Sequence, residues 1–466
     1  MRAREVRWRR RAAAVVAVLA AGGSAACTAG SHVAGAGQFA ARGLEHLRAC
    51  VQAPAFACGD LSVPLDPFGS APGRLSLQVG MSTTAAPRGV LLFLTGGPGQ
   101  PGVPFLPRIA ARLGAALAGY RLVMFDQRGT GAGALSCPAL QAQMGASDLT
   151  APAPAAVRAC AAAIGPRRQY FATAETLADI EALRRALHVR RLSLDGVSYG
   201  SYVAEQFALA HPAEVARLVL DSVVPSANVD PLQVANMRDS ARVLRSVCAV
   251  QRCGFDPARD VATIVRRYHD GPALLDTLVA LSVGEPAFDG VPAALHAAAA
   301  GNPRPLAAVM RRVRAGDAAT AAELSQGLHA STLCADLTMP WGGPQTPEPA
   351  RQAALNRAVA RLTPAQTWPF DSATAAGNGF VQTCLHWPPE PAPPAGPAPG
   401  ARLPAVPVLI LAGGHDLSTP VQEARAELAL APGGRLIYVP AAGHSVQTRG
   451  AGDPAAGPLE RFLRAG

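Results

Sequence analysis

One ten-residue stretch, 191–200, constrains this chain more than any other, because it joins a predicted strand to a predicted helix through Gly-x-Ser-x-Gly. Residues 191–197 have the alternating pattern of a strand, and 201–209 have the composition of a helix. Such a strand–turn–helix is called a nucleophile elbow, and it exposes the serine on a strained turn. A β-carbon at Gly196 or Gly200 would collide with the neighbouring strand or helix. The stretch therefore predicts Ser198 at a helix N-terminus, with its hydroxyl above a sheet.

Patterns along the rest of the chain predict an α/β fold with a mostly parallel sheet flanked by helices. Seven further segments have the alternating or fully apolar pattern of strands: 61–65, 75–79, 89–94, 121–125, 217–220, 406–411 and 435–439. From 225 to 404 strand patterns disappear, and alanine-rich helical stretches alternate with prolines, which predicts a helical cap insertion. The predicted organisation is a core over 46–224 and 405–466, interrupted by the cap over 225–404.

The first residues have the pattern of a secretory signal peptide. Six arginines between Arg2 and Arg11 precede an apolar run over 12–21 and small residues at 24–26, the expected cleavage site. We therefore predict a signal peptide over 1–26, a tether over 27–45 and a secreted or extracellular protein. Cys27 follows the small residues as in a bacterial lipoprotein, so membrane attachment through a lipidated Cys27 stays open beside simple secretion.

The nine cysteines agree with export, because disulfides persist in oxidising compartments. Without Cys27 eight remain, an even number that predicts four disulfides. Pairing neighbours along the sequence gives Cys50–Cys58, Cys137–Cys160, Cys248–Cys253 and Cys334–Cys384, although eight cysteines also allow other connectivities. A zinc site is the competing hypothesis, but no two cysteines have C-x-x-C spacing and no histidine cluster accompanies them. We expect no metal and no other cofactor.

The net charge of +10 does not indicate nucleic-acid binding. All 42 basic residues are arginines, against 32 acidic residues, and they are scattered without interleaved aromatic residues. This distribution favours a solvated surface. We expect a monomer with no nucleic-acid partner.

Three side chains follow predicted strand ends in an order that points to nucleophilic catalysis. Ser198, Asp416 and His444 each come after a strand, and ligands of open α/β sheets bind at that edge. The order Ser, Asp, His is that of the α/β-hydrolases, with the histidine as base and the aspartate orienting it. Asp221 also ends a predicted strand and is the alternative acid. Asp416 is preferred, because Gly-x-Asp after a strand suits a tight acid loop.

Glycine-rich loops beside these residues predict how a developing negative charge is stabilised. We expect an oxyanion hole made by the backbone N–H groups of Tyr199 and of Gly97, which lies in a glycine loop after the strand 89–94. A phosphate-binding loop is the competing idea, but the Gly-Lys-Ser/Thr ending is missing. Asp126 and Arg128 follow the strand 121–125, and we interpret them as a charge-paired turn rather than as catalytic residues.

Several motifs together resemble the prolyl aminopeptidase and tripeptidyl aminopeptidase family of α/β-hydrolases. They are Gly-Gly-Pro-Gly at 96–99, Asp-Gln-Arg-Gly-Thr-Gly at 126–131 and Gly-Val-Ser-Tyr-Gly at 196–200. Segments 58–66, 334–336 and 384–388 resemble the secreted actinobacterial tripeptidyl aminopeptidase branch. The resemblance implies a serine exopeptidase acting on free peptide N-termini, with a C-terminal module that carries the acid and the histidine. Thr95 and Asp195 depart from residues common in the family.

An enzyme of this kind needs a carboxylate to bind the substrate's terminal ammonium group. Asp336 in the cap and Glu205 on the helix after the elbow are the candidates. The predicted function is an exported serine hydrolase, an aminopeptidase with a peptide as its partner. Hydrolysis of carboxylic esters is the alternative, and a non-catalytic surface binding protein is the third hypothesis.

Overall fold

A mixed sheet of nine strands runs through the part of the chain that the structure, a computed structural model, describes: residues 43–69, 71–227, 229–450, 452 and 454–465. The strands are β1 (Glu45–Cys50), β2 (Ala53–Pro64), β3 (Arg74–Ser82), β4 (Gly89–Leu94), β5 (Tyr120–Phe125), β6 (Leu192–Val197), β7 (Val215–Asp221), β8 (Val408–Gly413) and β9 (Gly434–Val439). Their order across the sheet is β1-β2-β3-β5-β4-β6-β7-β8-β9. β1, β2 and β3 are antiparallel to their neighbours, and all pairs from β5 to β9 are parallel.

The burial of a strand determines whether its sequence pattern is recognisable. Every residue of β6 and β8 is buried, and strands covered on both faces become nearly continuous apolar runs. All seven further strand predictions overlap a strand of the sheet. β1 has no apolar run, because most of its residues are exposed, and it begins at Glu45, the last residue of the predicted tether.

Helices cover both faces of the sheet, which confirms the predicted fold class. They are α1 (Leu106–Leu113), α2 (Pro138–Met144), α3 (Pro154–Ile164), α4 (Thr173–Ala186), α5 (Tyr199–Ala210), α6 (Val234–Gln251), α7 (Pro257–Tyr268), α8 (Gly271–Gly284), α9 (Val291–Ala299), α10 (Arg304–Gly316), α11 (Gln326–Asp336), α12 (Glu348–Ala360), α13 (Pro364–Thr367), α14 (Ser372–Gly377), α15 (Gly379–His386), α16 (Val421–Leu430), α17 (Val446–Arg449) and α18 (Ala456–Arg464). One face of the sheet packs on α4, α5 and α16, and the other packs on α1, α17 and α18.

The stretch between β7 and β8 is helical, as predicted for the cap. It contains α6 to α15, and its one β feature among the described residues is a bridge between Met339 and Gly342. Helices α6 to α10 and α14 share an apolar core of their own. α2 and α3 lie before β6, within the predicted core, yet they pack with α11 and α15 of the insertion. The cap is therefore built from two separate stretches of the chain.

Four disulfides among the described residues confirm the pairing of sequence neighbours. Cys50–Cys58 joins β1 to β2, Cys137–Cys160 joins the start of α2 to α3, Cys248–Cys253 closes the end of α6, and Cys334–Cys384 joins α11 to α15. The predicted signal peptide and Cys27 lie outside the described residues. Within the described ranges, no helix combines the length and the apolar character needed to cross a membrane.

Asp126 and Arg128 are both buried, and Asp126 holds the end of the glycine loop that follows β4. Asp126 accepts hydrogen bonds from the backbone N–H groups of Gly102 (3.0 Å) and Val103 (2.8 Å). Arg128, which is fully buried, donates to both oxygens of Asp179 on α4, each at 2.7 Å. Such two-bond pairing fixes the orientation of both side chains. Asp126 and Arg128 are thus structural, although each is paired with a different part of the fold rather than with the other.

Candidate active site

Ser198 lies on the turn between β6 and α5, as the pentapeptide predicts. Its φ of +57° and ψ of −128° form a conformation that costs free energy for a residue with a side chain. A β-carbon at Gly196 would lie 2.2 Å from the carbonyl oxygen of Gly200, and one at Gly200 would lie 2.3 Å from that of Leu94. Both glycines are required for this close approach, which confirms the argument made from the sequence.

Asp416 and His444 are brought together from the loops that follow β8 and β9. His444 Nδ1 lies 3.0 Å from Asp416 Oδ2. The same carboxylate oxygen accepts the hydroxyl of Thr419 at 2.7 Å, and Oδ1 accepts the backbone N–H groups of Ser418 (2.9 Å) and Thr419 (3.0 Å). A carboxylate on Nδ1 favours a proton there, and Nε2 is then free to act as the base. Thr419 was not predicted from the sequence.

Burial and charge act in opposite directions on this pair. Burial raises the pKa of Asp416. The charge of His444 and the hydrogen bonds from His444 and Thr419 lower this pKa by more than burial raises it, so the net shift is downward. Burial lowers the pKa of His444, but the charge and hydrogen bond of Asp416 raise it above its usual value. The pair therefore stabilises a protonated histidine, the state formed when a base has removed a proton from a serine.

Ser198 and His444 line one cavity of about 420 Å³, here called the large cleft. Gly96 also lines this cleft, next to the serine: a β-carbon there would be 3.0 Å from Ser198 Cβ and 3.4 Å from its hydroxyl oxygen. Ser198, His444 and the glycine loop therefore border the same cleft. A serine nucleophile needs both a base and oxyanion donors close to it, and this cleft contains candidates for each.

Two backbone N–H groups beside Ser198 are available as hydrogen-bond donors. Tyr199 is the first residue of α5, so its N–H has no partner within the helix. Gly97 has a φ of +111° and lines the large cleft. Within the described ranges, neither N–H group has a protein acceptor. Their positions fit the predicted oxyanion hole.

Asp221, the alternative acid, accepts hydrogen bonds from the loop that carries His444. Its two oxygens accept the backbone N–H groups of Val446 (3.0 Å) and Gln447 (2.8 Å), and its carbonyl accepts the N–H of Ser198 at 3.0 Å. The side chain of Gln447 also donates to Asp195 at 2.6 Å, where burial raises the pKa of the carboxyl group to about 8. Asp221 thus links the elbow to the histidine loop, while Asp416 holds the imidazole.

Asp336, the first candidate for ammonium binding, lines a second cavity beside Ser198. This small cleft has a volume of about 140 Å³ and is also lined by Tyr199 and Tyr202. Asp336 Oδ2 accepts the N–H (2.9 Å) and the hydroxyl (2.6 Å) of Thr173. Burial raises the pKa of Asp336 to about 6, although the bonds from Thr173 lower it. Asp336 is therefore placed where a ligand of Ser198 can reach it.

Glu205, the second candidate, lies inside the fold on α5 and lines neither cleft. Its side chain is fully buried, and neither carboxylate oxygen has a hydrogen-bond partner among the described residues. Burial, and then the charge of Glu427, raise its pKa well above the usual range. This position does not fit the predicted substrate-binding role, because a group enclosed by the core cannot contact a substrate.

Asp148 is a candidate residue that sequence reasoning missed. It lines both clefts together with Ser198, and its Oδ1 lies 3.6 Å from His329 Nε2. Burial raises the pKa of Asp148, while the charges of His329 and His444 lower it. Asp148 lies in the loop between α2 and α3, and no local motif marks it. Only the packing of these helices against the insertion brings it to the serine.

Comparison with known proteins identifies a family and similar hydrolases. A sequence profile of the α/β hydrolase fold matches residues 89–451. The tripeptidyl aminopeptidase of Streptomyces coelicolor is 31% identical over 188 residues, 36% of this chain and 35% of that protein. A probable proline iminopeptidase from the same organism is 31% identical over 137 residues, 29% of this chain and 33% of that protein. The chain spans about a third of the length of these curated relatives.

Similar chains also occur among solved structures. A proline iminopeptidase from Mycobacterium smegmatis is 16% identical, with a TM-score of 0.36, and the match covers 87% of this chain and 97% of that one. The resemblance inferred from the sequence motifs is confirmed by the named relatives. The elbow at Ser198, the order of the strands and the profile match over most of the sequence agree, and the chain belongs to the α/β-hydrolase fold family.

Proposed function

We propose that this hydrolase is an exported serine aminopeptidase, which releases residues or short peptides from free peptide N-termini. The observation that carries the proposal is the charge of the small cleft. Four acidic side chains line it, and no arginine or histidine does so within the described ranges: Asp148, Asp230, Asp336 and Glu423. Burial, and then the charges of neighbouring aspartates, raise the pKa of Glu423 well above its usual range, so the negative charge of the cleft belongs to the three aspartates. An enclosed site with carboxylates and no cation favours a positively charged ligand group, such as a terminal ammonium.

The position of His444 indicates which part of the substrate occupies each cleft. A catalytic histidine gives its proton to the leaving group, so the leaving group lies on the histidine side of the serine. His444 lines the large cleft but not the small one. The acyl part, which carries the N-terminus, then occupies the small cleft with Asp336, and the rest of the peptide leaves through the large cleft.

The chemistry follows from the contacts of the triad. Ser198 Oγ attacks the carbonyl carbon of the peptide bond while His444 Nε2 accepts the hydroxyl proton. Asp416 keeps the imidazole oriented and stabilises its positive charge. The N–H groups of Gly97 and Tyr199 donate to the oxyanion of the tetrahedral intermediate. The carbon–nitrogen bond then breaks, and His444 protonates the departing amine, which leaves an acyl-Ser198 ester.

The second half of the reaction releases the N-terminal fragment. A water molecule enters from the large cleft after the amine has left, and His444 removes its proton as it attacks the ester. The second tetrahedral intermediate collapses, the Ser198 oxygen recovers its proton from His444, and the new carboxylic acid departs. In the protein, only Ser198 and His444 gain or lose a proton: Asp416 stays ionised, and the two N–H groups only donate hydrogen bonds.

Export is supported by the four disulfides and by the N-terminal sequence pattern. Disulfides are typical of proteins from oxidising compartments. The signal peptide and Cys27 lie outside the described residues, so secretion and lipid attachment are proposals from the sequence. Mass spectrometry of protein purified from its native host would give the mature N-terminus and show whether Cys27 carries lipid.

Peptides that differ only at the N-terminus test the proposed activity. A peptide with a free α-amino group should be cleaved at least about 30-fold faster than its N-acetylated form, because acetylation removes the charge that the small cleft binds. Labelling of Ser198 by a fluorophosphonate probe would show independently that the serine is active. Equal cleavage of both peptides would exclude an aminopeptidase and favour the ester hydrolase.

A further inference from the structure

Two arginines lie on the same side of the large cleft as His444. Arg108 projects from α1 and Arg449 ends α17, and both line the large cleft with Ser198 and His444. We call these four residues the core wall. The two helices pack on each other, and Arg108 Nη2 contacts the carbonyl oxygen of Thr448 at 3.5 Å. A pair of guanidinium groups thus borders the cleft beside the candidate catalytic residues.

This pair lacks a counter-charge. Within the described ranges, neither Arg108 nor Arg449 forms an ion pair with a carboxylate. Partial burial lowers the pKa of Arg449, and the charge of Arg108 lowers it further. The side chain of Arg449 reaches solvent and is therefore accessible to a ligand. Like charges held together are stabilised when an anion binds between them.

The residues that the cap contributes to the large cleft, here called the cap wall, include charged groups that are paired within the cap. We define it as Asp148, Asp276, Glu285, Arg312 and Asp317. Glu285 is paired with Arg312, and Asp276 accepts the hydroxyls of Ser147 (2.6 Å) and Thr150 (2.7 Å). These contacts hold the acidic groups within the cap. An anionic ligand would therefore bind on the core wall.

Arg449 also lies close to the reacting groups. Arg449 and His444 both line the large cleft, and Arg449 ends the four-residue helix α17, which begins two residues after His444. An anion bound by Arg449 must then belong to a leaving group of only a few residues. When a short peptide is cut near its N-terminus, the group that satisfies this condition is the C-terminal carboxylate of the leaving fragment.

We propose that Arg108 and Arg449 form a subsite for the C-terminal carboxylate of short peptides. This inference rests on the proposed aminopeptidase function and names its substrate class: short peptides with both ends free. The small cleft would bind the ammonium end and the core wall the carboxylate end, with the scissile bond at Ser198 between them. Longer chains would lack this second contact and would be cleaved less efficiently.

A matched pair of peptides tests the subsite. Tripeptides or tetrapeptides with a free C-terminal acid should have a kcat/KM about fivefold to tenfold above that of their C-terminal amides. The Arg108→Gln and Arg449→Gln variants should reduce this acid-to-amide ratio to about one. Arg312→Gln is the matched control, because it removes a positive charge from the same cleft but from a paired residue. It should keep the wild-type ratio.

Two further measurements on the wild-type enzyme test the subsite even if a variant fails to fold: the dependence on ionic strength and the hydrolysis of charged esters. The ratio of the wild type should fall as ionic strength rises, because exposed charges are screened. Activated esters whose leaving group carries either a carboxylate or a carboxamide report on the same arginines without a peptide. A carboxylate preference with esters, together with equal cleavage of acetylated and free peptides, would support the subsite and refute the aminopeptidase. A wild-type ratio of one, or a ratio that Arg312→Gln abolishes equally, would overturn the subsite.

Discussion

The loops at the sheet edge and the cap hold their polar groups in different ways. At the sheet edge Asp416 has a partner on both oxygens, and Ser198 occupies a strained turn that two glycines make possible. In the cap, among the described residues, Asp148 Oδ1 has no hydrogen bond, and Asp336 accepts hydrogen bonds on one oxygen only, from Thr173. Fixed groups suit bond making and breaking, whereas incompletely bonded carboxylates can still bind a ligand. This difference supports the proposal that the core carries out the chemistry and that the cap recognises the substrate.

The largest expected effect comes from removing the nucleophile. Ser198→Ala should reduce kcat on the order of 10⁶-fold for peptides and esters alike, because every substrate uses the same bond-forming oxygen. The fold should be retained, since alanine fits the turn at least as well as serine does. Steady-state kinetics on a peptide and an activated ester, with circular dichroism for the fold, measure this. Residual turnover near the wild-type rate would show that the nucleophile lies elsewhere.

The acid gives the next largest effect. Asp416→Asn should reduce kcat about 10⁴-fold for all substrates, because an amide at Nδ1 favours the wrong tautomer of His444. Asp221→Asn should cost about tenfold or less, since asparagine keeps one acceptor for the N–H groups of Val446 and Gln447. The two variants serve as mutual controls when assayed on one substrate. A more severe loss in Asp221→Asn would reverse the assignment of the acid.

These two classes of residue also differ in how well the sequence predicts them. The elbow, Asp416 and His444 could be predicted because each follows a strand. A strand of this kind can be recognised from a short stretch of sequence. The parallel sheet then brings those ends together without further information. Each disulfide joins cysteines that are consecutive among the eight, although Cys334 and Cys384 are 50 residues apart. Local pattern therefore predicts most of the core and of the candidate triad.

The cap was less predictable for a physical reason. Asp148 reaches Ser198 only because α2 and α3 pack with α11 and α15, and helix–helix contacts across 200 residues leave no periodic pattern. The burial of Glu205 was not predicted, because a glutamate on a helix is usually exposed. Helix α5, however, is covered by the sheet and by neighbouring helices. β1 was missed because an exposed edge strand has no apolar face. Tertiary packing decided all three cases.

A smaller and substrate-dependent loss is expected when the cap is altered. Asp336→Asn should reduce kcat/KM for peptides with a free N-terminus about 30-fold, the lower end of the cost of losing a charged partner, because Asp336 is partly exposed. A small activated ester needs only the triad and the oxyanion donors, so its hydrolysis should change much less. The ratio of the two rates is the measurement.

Asp317→Asn is the matched control for that ratio. It removes a carboxylate from the cap wall that lines the large cleft and not the small one. The peptide-to-ester ratio of this variant should stay at the wild-type value. If Asp336→Asn lowers both rates equally, its carboxylate stabilises the cap through Thr173 and does not select the substrate.

The smallest expected effect is a pH dependence of the same ratio. Burial raises the pKa of Asp336 to about 6, and kcat/KM reports the ionisation of the free enzyme. Above this pH the carboxylate is charged and binds the ammonium group, and below it the group is protonated and the attraction is lost. A peptide α-amino group loses its own charge above about pH 8. The peptide-to-ester ratio should therefore be highest between about pH 6 and pH 8 and fall on both sides.

Using a ratio separates recognition from catalysis. His444 must be neutral to act as a base, and its raised pKa reduces both rates together in acid, so the effect cancels. In Asp336→Asn the acidic side of the ratio profile should become flat, while the alkaline side, which belongs to the substrate, should remain. An unchanged acidic side in that variant would assign the titration to another carboxylate of the small cleft, with Asp148 the first to examine, because it also borders Ser198. A wild-type ratio that stays flat from pH 5 to pH 9 would instead mean that charge in the cap does not select the substrate, and the division of labour between core and cap would fail.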